Sequence, residues 1–125
     1  MNTNSNSLAR DTVVQFLYQC ESEKLYYFSP NHFDVFIEHF SIDVRAKDYA
    51  KVLASGVLED IAKLDKLITK YSKNLSISRM PITDRVILRM ATWELIEKNE
   101  PPKAVLNEAI ELAKKYGTEH SGSLS

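Results

Sequence analysis

The stretch from Met80 to Gly117, MPITDRVILRMATWELIEKNEPPKAVLNEAIELAKKYG, constrains the fold more than any other part of the chain. Ile82, Val86, Ile87, Met90, Ala91, Trp93, Leu95 and Ile96 recur at three- and four-residue steps, the period of a helix enclosed on more than one side. Beyond Asn99-Glu100-Pro101-Pro102 the pattern resumes. Val105, Leu106, Ala109, Ile110, Leu112, Ala113 and Tyr116 share one arc, and Lys103, Asn107, Glu108, Glu111, Lys114 and Lys115 fall on the other. A proline pair stops one helix and opens the next, because proline has no N–H to lose in a first helical turn. Gly117 stands where a helix commonly ends in a left-handed residue. Two antiparallel helices with a short elbow are predicted.

The rest of the chain has the same character. Only three glycines and four prolines interrupt it, which argues against a many-turned β fold. A first helix is predicted from about Ser7 to Glu23, capped by Ser7, with Ala9, Val13, Phe16, Leu17 and Cys20 on its core arc. Val14 and Tyr18 stand beside that arc, either buried on a second side or forming a strip for a partner. Ser29-Pro30 caps a second helix to about Phe40. Val44 to Lys73 is long enough for two helices, with a break near Gly56 or Asp65. Ser72 to Pro81 is a linker. One domain, 1–125, is expected, with helical halves over about 7–73 and 80–117 and disorder at 1–6 and 118–125.

Composition excludes several classes. No apolar run approaches the roughly 20 residues that span a bilayer, and MNTNSNS lacks the basic start and apolar centre of a signal peptide. The lone Cys20 cannot form an internal disulfide, which favours a cytoplasmic location. His32 and His39 lie seven apart, about 10 Å along a helix axis, without a ligand cluster around them, so no metal site is expected. Nucleophile and base are nowhere spaced for catalysis, and no glycine loop cradles a phosphate. The chain reads as a non-enzyme without a cofactor. Net charge is −1, but residues 44–73 hold seven basic against four acidic side chains. Lys63, Lys66, Lys70 and Lys73 follow at helical steps there. The stripe reads first as a solvated face and second as a phosphate track.

Polar identities add a resemblance. Ala9-Arg10, Gln15, Leu17-Tyr18, the run Asp84-Arg85-x-Ile87-Leu88-Arg89-x-Ala91-x-x-Glu94-Leu95, the segment Pro101-Pro102-Lys103-x-Val105-x-Asn107-Glu108-Ala109-x-Glu111-Leu112-Ala113-Lys114, and Gly117 together resemble the bacterial antitermination factor NusB, in register from about Ala9 to Gly117. The resemblance implies an all-α, two-half bundle of about five to seven helices. It also implies a non-catalytic adaptor that joins a NusE-type small-subunit ribosomal protein on boxA-type single-stranded RNA, within the transcription elongation complex on ribosomal RNA operons. By the same resemblance Arg10, Gln15 and Tyr18 would meet RNA. Val14, Tyr18, Asp84, Arg85 and His120 would meet the partner, with helix-start electrostatics the other reading of Asp84.

Two departures from the family pattern bear on that reading. The arginine cluster that precedes the alanine-arginine pair in NusB is replaced by MNTNSNSL, which predicts weaker RNA binding by this chain alone. The family's last helix, opening with a Phe-Val-Asn-Gly-like run, is missing before Ser125, which predicts an exposed apolar groove lined by residues such as Val105, Ala109 or Leu112. The competing functions are a protein-interaction or homodimerisation module of the same fold with little RNA binding, and the NusB-like domain that fronts RNA cytosine methyltransferases. The latter precedes a large catalytic part that is absent from these residues.

Overall fold

A computed structural model describes residues 5–98 and 100–124, except for the side chains of 118–124. Six helices follow one another: α1 Ser5–Glu23, α2 Pro30–Ile37, α3 Val44–Glu59, α4 Ile61–Tyr71, α5 Ile82–Glu97 and α6 Pro102–Leu124, with a 3-10 turn at Ile77–Arg79 between α4 and α5. Every regular element among the described residues is helical, as the spacing required. The chain divides into two compact units, Met1–Ile61 and Ala62–Ser125.

In the first unit α1 packs along α3. Ala46, Ala50 and Ala54 recur every fourth residue of α3 and are fully buried. Such small side chains let a neighbouring helix approach closely. The expected arc of α1, Ala9, Val13, Phe16, Leu17 and Cys20, is buried in full. Phe16 anchors an aromatic cluster, its ring 5.2 Å from Phe33 and 5.2 Å from Phe36, both edge-on. His32 belongs to that cluster, with its ring 5.0 Å from Phe16 and Nε2 3.1 Å from Gln19 Oε1, which gives it a structural place. Ser29 caps α2 as expected, accepting from the His32 N–H at 3.2 Å.

Helix boundaries differ from expectation where a side-chain bond decides them. Helix α1 starts at Ser5, two residues ahead of Ser7, and so takes in Ser5 and Asn6, expected to be disordered. Ser5 Oγ donates to the Asp43 carboxylate at 3.1 Å, while Asp43 Oδ1 accepts from the Ala46 N–H at 2.8 Å and caps α3. Helix α2 stops at Ile37, short of Phe40. The long segment breaks at Asp60, not at Gly56 or Asp65. Glu59 and Asp60 put negative charge at the carbonyl end of α3, where the helix dipole disfavours it.

At the end of α1 the Leu25 N–H donates to the Cys20 carbonyl at 2.8 Å and the Lys24 N–H to Glu21 at 3.2 Å. This is the double closure of a Schellman turn, and Lys24 occupies its left-handed position at φ 57°.

In the second unit α5 packs on α6, and α4 joins α5 through long side chains. Arg89 grips Asp65 with two parallel bonds, Nε–Oδ1 and Nη2–Oδ2, both 2.8 Å. Lys63 donates to Glu97 at 3.1 Å. These ties place α4 with the second unit, so the division falls at Ile61/Ala62 and not in the 72–81 linker. Helix α6 runs on to Leu124, through Gly117 and across 118–124, where an end and a disordered tail were expected. A left-handed cap needs positive φ, and no described glycine has it. Val105 and Leu112, expected to line an open groove, are buried, and Ala109 is half-buried. The apolar residues α6 exposes are Leu106 and Ile110.

Cys20 is buried, and its thiol is pushed up to about 11 by desolvation first and then by the nearby Glu23 and Glu21 charges. A two-unit rise leaves about 100-fold less thiolate below pH 9 than in an open peptide. At pH 8 Cys20 should therefore react with an aromatic disulfide only in step with unfolding, and denaturant-independent labelling would contradict its placement. Asp65→Ala strands the buried Arg89 guanidinium, and we expect a loss of about 2–3 kcal/mol in urea unfolding, less than for a fully buried pair because Asp65 is partly exposed. Lys24→Gly removes the left-handed penalty of about 1–2 kcal/mol, offset in part by the unfolded-state freedom of glycine, and should raise the urea midpoint.

Candidate nucleic-acid and partner interface

A helix packed on one side by α3 and on another by the aromatic cluster has one stripe left for solvent. On α1 that stripe includes Gln15, which is exposed, and Tyr18, which is 41% exposed. Residues three apart on a helix are neighbours, so the amide and the phenol sit side by side. Glu21 follows one turn later, and its Oε2 accepts from the Tyr26 hydroxyl at 3.3 Å. Tyr26 and Tyr27 are both exposed and follow directly on the Schellman turn at Lys24. Tyrosines exposed on a surface and fixed by the backbone beneath them can stack on unpaired bases or pack on a protein at small entropic cost. Tyr26 and Tyr27 were not singled out from sequence. The signal for them was present, three tyrosines within ten residues on either side of a helix end.

Two expected members of this face are elsewhere. Val14 is 1% exposed and belongs to the core, so it cannot form an outward strip with Tyr18. The cause is angular: Val14 lies one residue from Val13 and two from Phe16, inside the buried arc and not on its edge. Arg10 is 7% exposed and engaged in an interaction, so its guanidinium does not stand on the open stripe beside Gln15.

In the second unit, Asp84 is half-buried in the first turn of α5, where a carboxylate is favoured by the exposed N–H groups and the helix dipole. Arg85 beside it turns back onto the chain. Its Nε donates to the Ile77 carbonyl at 3.0 Å, and Nη2 donates to Met80 at 2.9 Å and Ser78 at 3.3 Å. Three carbonyls of the 3-10 turn and its exit thus converge on one guanidinium. Arg85 shapes the approach to α5, a role that the sequence did not reveal. Arg89, one turn on, is equally committed, to Asp65. The backbone of His120 lies within α6, and its side chain falls outside the described residues. No group of three or more His, Cys, Asp or Glu among the described residues could hold a metal ion, and no described helix is long and apolar enough to cross a membrane.

The same geometry and sequence recur in known proteins. The NusB family model matches residues 7–125. The transcription antitermination protein NusB of Elusimicrobium minutum is 42% identical over 118 residues, spanning 91% of this chain and 82% of its own. That of Sorangium cellulosum is 38% identical over 120 residues, 95% of this chain and 84% of its own. Among solved structures, Thermotoga maritima NusB superposes with a TM-score of 0.76 at 32% identity, over 99% of this chain and 86% of that one. NusB in a complex of the antitermination factors NusB and NusE with double-stranded RNA gives a TM-score of 0.77 at 29% identity, over 96% of this chain and 89% of that one. With its helices, its polar identities and its relatives in agreement over nearly its whole length, the chain belongs to the NusB family.

Proposed function

We propose that this chain is a non-catalytic RNA-binding adaptor of transcription antitermination, which joins a NusE-type ribosomal protein on boxA-type RNA as part of the elongation complex in the cytoplasm. The observation that carries the reading is the outward Tyr18 beside Gln15 on a helix otherwise sunk in its core, in a chain of this family. Single-stranded RNA is held largely by stacking on aromatic rings and by hydrogen bonds to base edges, which a phenol and a primary amide supply. Tyr26 and Tyr27 offer the same chemistry next to Glu21. Relatives seen with NusE and RNA support the partner assignment by similarity of fold.

Arg10 and Arg85 take supporting parts in this proposal. Arg10 holds its place from within the core, and Arg85 sets the turn that leads to Asp84, the residue of that pair left for a partner's cation. The partner role of His120 stands as a proposal on the resemblance alone. Without an arginine cluster ahead of Ala9, fewer phosphates are neutralised, so affinity for RNA falls less steeply with salt than it would with several arginine contacts.

Fluorescence anisotropy of labelled boxA RNA, with and without the NusE-type protein at fixed salt, tests the reading. Wild-type protein should bind more tightly in the ternary mixture. Tyr18→Asp should weaken that binding about 10-fold or more, the size of one lost stacking contact with added charge repulsion. Unchanged binding by Tyr18→Asp, with self-association as the only interaction seen, would replace the adaptor by a homodimerisation module.

A further inference from the structure

Within the second unit a groove of about 320 Å³ runs between α4 and α5. Its α5 wall is Leu88, Thr92, Leu95 and Ile96, the i, i+4 and i+7/i+8 positions of one helix face, about 12 Å long. Leu67, Ile68 and Tyr71 form the α4 wall. The polar atoms here are few and partly spent: Thr92 Oγ1 donates to the Leu88 carbonyl at 2.8 Å and leaves its methyl for the groove. Ile68 is a buried floor, while Tyr71 at the rim is 75% exposed. Large apolar groups around a concave strip of this kind mark a surface shaped for another apolar surface.

Charge along the α4 rim narrows the occupant. Lys63, Lys66 and Lys70 rise beside Leu67 at steps of three and four residues. Lys63 bonds Glu97, and the Lys70 ammonium lies 5.3 Å from the centre of the Tyr71 ring. Lys66 makes no ion pair among the described residues. Asp65, the carboxylate of α4, has its charge matched by Arg89 and does not offset the ridge. The rim is therefore net positive against an aliphatic floor. Aliphatic walls have no donors or acceptors for base edges, so the groove suits a peptide better than a nucleotide.

We propose that the α4–α5 groove docks an amphipathic helix of a partner protein, seating apolar side chains at i, i+4 and i+7 on Leu67, Leu88, Leu95 and Ile96 and placing acidic side chains of one flank against Lys66 and Lys70. A two-turn helix matches the length of the α5 wall, and helix-in-groove recognition uses this anchor spacing. This surface is separate from the Tyr18 stripe, and the RNA reading neither supports it nor depends on it.

Two labelled helical peptides test the proposal on the whole chain, both with leucines at i, i+4 and i+7, one with glutamates along a flank and one with lysines there. The glutamate peptide should bind, and more weakly as salt rises. Tyr71→Asp should weaken it about 10-fold or more. The double variant Lys66→Glu/Lys70→Glu should weaken it about fivefold and improve binding of the lysine peptide. All three positions are on the surface, and matching thermal melts would show that the variants fold. Tyr71→Asp should leave boxA RNA binding unchanged, so a failed Tyr18 experiment would not touch this one. The proposal is overturned if neither peptide binds, if both bind the wild type equally, or if Tyr71→Asp has no effect. It is also overturned if poly(U) RNA, and not the glutamate peptide, loses affinity on reversal of Lys66 and Lys70, which would make the ridge a phosphate track.

Discussion

The seating of α1 on the alanine edge of α3 decides which side chains of the first helix reach solvent. Ala46, Ala50 and Ala54 carry only a methyl each, and their complete burial marks the line along which the two helices meet. A bulkier residue in that line would have to push α1 outward, since cores of this density have no spare volume. With α3 on one side and the Phe16, Phe33 and Phe36 rings on another, Gln15 and Tyr18 are left on the outside. An exposed tyrosine on a helix buried around most of its circumference is thus a by-product of packing that a partner or an RNA can use.

Arginine has a different part in the second unit. Arg85 and Arg89 are one turn apart on α5, and both are turned inward on the chain itself, one on three carbonyls and the other on Asp65. A guanidinium carries five donors in a fixed fork, which suits it to gathering several acceptors into one place. Lysines make up the open positive surface of α4, because a flexible ammonium is held in place by fewer bonds. This division of labour leaves the unit with a rigid turn before α5 and a mobile basic rim along α4.

Several of these features were legible in the chain and others were not. The Ser29 cap followed from Ser-Pro ahead of an apolar run, and the α5–α6 pair followed from periodicity around two prolines. The aromatic outward face at Tyr18 was legible because it lies beside charges on the helical wheel. Val14 was misplaced because a wheel gives angles but not the width of the buried arc. Arg10 and Arg85 were read as surface groups, since the acceptors of Arg85 lie five to eight residues away in a turn whose shape no local pattern dictates. Gly117 was read as a terminus because glycine permits an end without requiring one.

The sequence by itself determined that this chain is helical, where most of its helices begin, and which residues share a face, since each follows from a 3.6-residue repeat and from caps a few residues long. Only the tertiary structure decided which faces are covered. Burial of Val14 and Arg10, the clamp of Arg85 on its turn, the pairing of Asp65 with Arg89 and the open groove beside Tyr71 all depend on groups brought together across turns or between helices. Local periodicity has no information about those distances, because they are set by how far apart whole helices come to rest.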